Sequence, residues 1–141
     1  GLDLSGDGAN ALLDVARGDL RRAINYLQSC GTISEKIDQE LVFRVAGEVP
    51  PEKVQKILKT ALNGQLTLSI KLLNDLINEY GLSGRNIIKD IHREIYDFNI
   101  PEDLKIELSK LLAEFEYRLS QGGTEEIQLQ ALMAKIVLLN E

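Results

Sequence analysis

The run Ala131-Leu132-Met133-Ala134-Lys135-Ile136-Val137-Leu138-Leu139 constrains the fold of this chain more than any other stretch, because as a helix it is apolar around nearly its whole circumference. Such a helix cannot lie on a surface with one face in water. It must be covered on more than one side, by its own bundle or by a neighbouring subunit. Leu132, Met133, Ile136 and Val137 are therefore candidates both for a central core and for an oligomer interface.

The cover is predicted to be helical. Apolar residues recur at helical spacing almost everywhere, and no convincing alternating pattern of a strand occurs. An aromatic share of 5% and 3 prolines point the same way. Leu12, Leu13 and Ala16 share one face of a first helix that Ser5 or Asp7 can cap. A second helix from Asp19 turns Leu20, Ala23, Ile24 and Leu27 inward and stops near Gly31, and a short third carries Leu41, Val42 and Val45. Gly47 followed by Pro50-Pro51 ends one helix and starts the next, so a boundary is placed there. Beyond it the spacing predicts five amphipathic helices, closed by Asn63-Gly64, by Gly81, after Phe98, by Gly122-Gly123 and at the chain's end, with Ser83 and Thr124 as caps. The fold class is all-α, with residues 1–46 and 47–141 as separate domains.

At 141 residues the chain can bury a substantial core. With Gly1 first and Met133 the only methionine, it is expected to be the C-terminal piece of something longer. A formal net charge of -6 argues against an autonomous binder of nucleic acid or of an anionic membrane, both of which attract basic surfaces. One cysteine, Cys30, cannot form an intrachain disulfide, and no apolar run has spanning length, so an intracellular compartment is expected.

Three constellations invite a chemical reading. Asp3, Ser5 and Asp7, then Gly8, with Asp14 in the twelfth place, imitate a calcium loop, but the twelfth residue is the shorter Asp and no helix enters the loop; a capped turn explains it better. His92 stands alone beside Asp90, Arg93 and Glu94 with no second metal-ligating side chain, so a charged helix face is expected and neither metal nor catalysis. Gly18-Asp19-Leu20-Arg21-Arg22 puts two arginines in the first turn of a helix, where unpaired N–H groups and the positive end of the dipole already favour an anionic oxygen such as a phosphate. On local pattern this is equally an acidic cap with solvated arginines.

The run Gly18-Asp19-Leu20-Arg21-Arg22-Ala23-Ile24-Asn25-Tyr26-Leu27-Gln28 resembles the sensor-2 helix of clamp-loader ATPases of the AAA+ class, particularly replication factor C small subunits of the archaeal type. Val45-Ala46-Gly47-Glu48-Val49-Pro50-Pro51 is similar to that family's passage from lid to C-terminal domain, and Tyr117-Arg118-Leu119-Ser120-Gln121-Gly122 with Ile127-Gln128-Leu129 to its last helix pair, so the resemblance runs through the whole chain.

The resemblance implies that residues 1–46 are the later part of the lid, with the sensor-2 helix at about 19–30, and that 47–141 form a five-helix collar holding subunits in a ring. It assigns the γ-phosphate of ATP in the same subunit to Arg21, with Arg22 the weaker candidate. It implies no cofactor in this piece but ATP and Mg²⁺ in the full-length protein. The phosphate-binding loop and metal-binding carboxylates belong to a preceding domain, so the piece itself is not expected to be an enzyme. The implied partners are other clamp-loader subunits, small-subunit copies and a large subunit, joined through the collar. A homo-oligomer is expected in isolation, and the sliding clamp and primer-template DNA are touched only through the preceding domain. The compartment implied is cytoplasmic in an archaeon and nuclear in a eukaryote. The competing reading is a free-standing helical adaptor with no nucleotide role, which an upstream sequence lacking any Gly-rich phosphate loop would favour.

Overall fold

A computed structural model describes residues 1–139 of the chain. The chain divides after Pro50 into two compact units, Gly1–Pro50 and Pro51–Glu141. The segment 47–50 stays with the first unit. Gly47 takes φ 69°, a left-handed conformation that suits glycine, and closes the preceding helix. Glu48 then reaches back so that its Oε1 lies 3.0 Å from Arg17 Nη2.

The first unit contains a feature without a sequence signal. Strands β1 (Asp3–Leu4) and β2 (Lys36–Ile37) pair in parallel, Asp3 opposite Lys36 and Leu4 opposite Ile37. Helices α1 (Gly6–Ala16) and α2 (Leu20–Ile33) form the crossover between them, and α3 (Gln39–Ala46) follows β2. Two-residue strands are too short to show alternation, so only the tertiary arrangement reveals them. Ser5 caps α1 by accepting from the Gly8 N–H at 3.0 Å, and Asp38 caps α3 by accepting from the Leu41 N–H at 2.9 Å. Gly8 lets α1 approach β2 closely, since a Cβ there would stand 2.5 Å from the Ile37 carbonyl oxygen. Ala11, Leu12, Val15, Ala16, Cys30, Ile37, Val42 and Phe43 make the core.

The second unit is a bundle of five helices, α4 (Pro51–Leu62), α5 (Leu66–Tyr80), α6 (Gly84–Ile95), α7 (Glu102–Ser120) and α8 (Glu125–Leu139). Pro51 opens α4, where a missing N–H costs nothing. Ser83 caps α6 by accepting from the Asn86 N–H at 3.2 Å, and Gly81 closes α5 with φ 62°. Helix α8 lies at the centre, packed against α4, α5, α6 and α7, with Leu129, Leu132, Met133 and Ile136 buried. The core of the bundle also buries Phe115, Leu108 and Leu112 of α7, Ile87, Ile88, Ile91 and Ile95 of α6, Leu58 and Ala61 of α4 and Leu73 of α5. Each such aliphatic side chain, fully removed from water, contributes roughly 1.5–3 kcal/mol.

Polar contacts fix the register of the bundle. Lys53 of α4 bonds Glu79 of α5 at 3.1 Å and lies 5.1 Å from the Tyr80 ring centre. Gln55 donates to Glu94 at 3.1 Å, satisfying a carboxylate only 7% exposed.

Some element ends differ from expectation. Helix α2 continues through Gly31 to Ile33, because a helical glycine costs only about 1 kcal/mol and the Leu2 side chain packs against it. Helix α5, which the spacing opens at Thr67, starts at Leu66 after Gln65, which makes no side-chain cap bond. Phe98 lies past the end of α6, half-buried in the connection to α7.

Candidate functional site

The first turn of α2 is built by Asp19. Its carboxylate oxygen accepts from the backbone N–H groups of Arg21 at 3.0 Å and Arg22 at 3.3 Å, so the acid is occupied by the backbone and leaves both guanidinium groups without it. Arg17 ends α1 in the left-handed region at φ 51°, Gly18 follows at φ 81°, and this double turn swings the chain into α2. Both arginines are exposed. Among the described residues Arg17, Arg44, Arg85, Arg93 and Arg118 each pair with a carboxylate, whereas Arg21 and Arg22 pair with none. Two unpaired cations stand at the positive end of a 14-residue helix, an arrangement able to receive an anionic oxygen.

The flank of this site corrects the predicted stripe. Leu20 is 75% exposed and Ile24 46%, and Leu13 of α1 is 67% exposed. The face that α2 turns inward is Ala23, Tyr26, Leu27 and Cys30, spaced i, i+3, i+4, i+7. Leu20 and Ile24 lie about a quarter turn round from it. Of the predicted stripe Ala23 and Leu27 do turn inward, while packing against α1 and α3 takes in Tyr26 and Cys30 in place of Leu20 and Ile24.

The four interface candidates on α8 also fall differently. Leu132, Met133 and Ile136 are fully buried within the second unit, and Val137 is half-buried. A lateral contact therefore cannot use the first three without opening the core. The side of α8 turned to solvent is a different apolar stripe, Ile127, Ala131, Ala134 and Leu138, with Ile127 64% and Leu138 60% exposed. All-round apolar composition hid which side was which.

The remaining constellations resolve locally. The Ser5 hydroxyl donates to the Asp7 carboxylate and, with the Gly8 N–H, holds the Asp7 carboxyl below its ordinary value. Among the described residues no group of His, Cys, Asp and Glu side chains is arranged to hold a metal ion. Burial, and then the Asp38 carboxylate, pushes the Cys30 thiol up, so it behaves as a small apolar filler. His92 is exposed and meets Tyr96 edge-on at 5.5 Å. No helix among the described residues is long and apolar enough to cross a membrane.

One feature of the second unit has no signal in the sequence. Where α4 ends and the connection from α6 enters α7, a cavity of about 450 Å³ opens between Lys59, Asn63, Phe98, Ile100 and Leu104.

The architecture is thus that of a helical protein with a small first unit and a five-helix bundle whose last helix packs one face against the other four. Residues 49–135 match the family model described as the replication factor C C-terminal domain. The chain is 40% identical over 137 residues to the replication factor C small subunit of Methanopyrus kandleri, covering 96% of this chain and 22% of that protein. It is 40% identical over 141 residues to the same-named protein of Thermococcus kodakarensis, covering 100% and 16%. Against that of Methanocella arvoryzae it is 41% identical over 134 residues, covering 95% and 42%. The chain belongs to the family of the replication factor C C-terminal domain and spans less than half the length of these relatives.

Proposed function

We propose that this chain is the C-terminal part of a sliding-clamp loader subunit, in which residues 1–46 are the later part of an ATPase lid and the five-helix bundle is a collar that assembles subunits into a ring. The reading is supported by the family match over 49–135, which lies almost wholly in the bundle, and by the names of the relatives, each a small subunit. The observation that carries the nucleotide role is the unpaired state of Arg21 in the first turn of α2. A hydrogen bond from a guanidinium to a γ-phosphate oxygen contributes roughly 1.5–3 kcal/mol, enough to bias a lid toward its ATP-bound position. Arg22 is the weaker candidate for the same contact. ATP and Mg²⁺ are held by a phosphate loop and carboxylates of a preceding domain, so this piece alone neither hydrolyses ATP nor binds it tightly. Its partners are further small-subunit copies and a large subunit; the clamp and primer-template DNA are reached through the preceding domain, in the cytoplasm.

The test is Arg21→Ala in the full-length subunit. Its stability should change by within about 0.5 kcal/mol, because an exposed, unpaired side chain leaves no cavity, while ATP affinity and ATP-dependent clamp loading fall. Arg22→Ala should be milder. Unchanged ATP affinity and loading in Arg21→Ala would return the arginine to a solvated surface role.

A further inference from the structure

A ring needs two different patches on each copy, one meeting the other of its neighbour, because a patch that meets itself closes a dimer and stops. The second unit offers two unlike patches at opposite ends of α7. At its start is the cavity of about 450 Å³, walled by Phe98, Ile100 and Leu104, with the Lys59 side chain on its rim. Past its end, across the turn at Gln121–Thr124, the first turn of α8 presents Ile127, 64% exposed, beside the exposed carboxylate of Glu126. Helix α7 has 19 residues, which separates the two by about 28 Å.

The patches complement each other in shape and in charge. One is concave, with Phe98, Ile100, Pro101 and Leu104 in its walls beside the amides of Asn63 and Asn99, and is edged by a cation. The other is a projecting aliphatic side chain edged by an anion. Neither Lys59 nor Glu126 has an ion-pair partner among the described residues, although most of the bundle's other cations do. A second copy of this acidic chain is repelled by most of its surface, so contact between copies falls where opposite charges meet around an uncharged centre.

We infer that the bundle binds a second copy of itself head to tail, with Ile127 of one copy seated in the Phe98–Ile100–Leu104 cavity of the next and Glu126 paired with Lys59. The inference rests on the assembly reading and names its surfaces. The solvent-facing stripe Ala131, Ala134 and Leu138 continues from Ile127 along α8 and extends the contact.

The experiment measures the association constant of the 141-residue chain by sedimentation equilibrium, for wild type, Lys59→Glu, Glu126→Lys, the double charge swap and Ile127→Ser. Each single substitution should weaken association about tenfold or more, and the double swap should recover most of the Lys59→Glu loss. Helix content by circular dichroism should be the same in all five, since every substituted side chain is exposed; a single variant that loses helix is replaced by Lys59→Gln or Glu126→Gln, which should weaken association without reversing charge. An oligomer indifferent to these substitutions, or a double swap no better than its singles, would overturn this contact while leaving the assembly reading standing. A wild-type chain that stays monomeric at every concentration would overturn the assembly reading itself.

Discussion

The Glu125 side chain accepts a hydrogen bond from the Gly84 backbone N–H at 3.0 Å, so the first turn of α8 caps the first turn of α6 from 41 residues away. Gly84 is buried, and a Cβ there would stand 3.3 Å from Leu119 and 3.4 Å from Glu125. The bond therefore ties the last helix to the middle of the bundle as well as satisfying an orphan donor. Glu125→Ala should destabilise the bundle by about 1 kcal/mol, within the range for loss of a helix cap. Urea unfolding followed by circular dichroism is the measurement. Glu125→Gln keeps a carbonyl acceptor and should lose less; equal losses would mean that only the charge matters.

Gly8 marks the other close approach. Gly8→Ala puts a methyl group 2.5 Å from the Ile37 carbonyl, so α1 or β2 must shift, at a cost of about 1–3 kcal/mol for overpacking. Gly6→Ala, with nothing within 4 Å, is the control and should be neutral or slightly stabilising. Thermal unfolding of both variants would show a lower transition for the first only.

The two sides of α8 should respond in opposite ways to truncation. Met133→Ala empties a fully buried position and should cost about 2–5 kcal/mol, whereas Ile127→Ala, on the outward stripe, should cost well under 1 kcal/mol in the dissociated chain. Comparable losses in denaturant titrations at low protein concentration would mean that α8 is covered on both sides within one copy.

Asp7 supplies a pH dependence of known sign. Its carboxyl is held below the ordinary value by the Ser5 hydroxyl and the Gly8 N–H. A group whose value is lowered on folding adds stability above its unfolded value, near pH 3.9 for Asp, and loses it as pH falls through the folded one. The stability difference between wild type and Asp7→Asn should therefore be constant from pH 7 to about pH 5 and shrink below about pH 4. A difference that persisted unchanged to pH 2 would show that the carboxylate's charge contributes nothing there.

Where a side-chain cap or a left-handed glycine marks a helix end, that end was a local matter, and the sequence alone determined it. Ser5, Asp19, Asp38 and Ser83 accept from backbone N–H groups at the starts of four helices, and Gly47 and Gly81 take the left-handed conformation at the ends of two. These bonds span two or three residues, so the residue type and its neighbours suffice to place them. The resemblance of Gly18-Asp19-Leu20-Arg21-Arg22 to a known family was legible for the same reason: it is a contiguous string. What tertiary structure decided was which of several apolar faces each helix buries. The spacing placed Leu20 and Ile24 inward, and the packing of α1 and α3 turned them to solvent. Leu132 and Met133 could have faced a neighbour as well as a core, and the arrival of four helices on one side of α8 sent them inward and left Ile127 and Leu138 outside. The pairing of Asp3–Leu4 with Lys36–Ile37 and the capping of Gly84 by Glu125 join residues more than 30 positions apart. Such contacts form once the chain has closed on itself, and burial is a property of that closure: periodicity offers a helix its faces, and the neighbours choose among them.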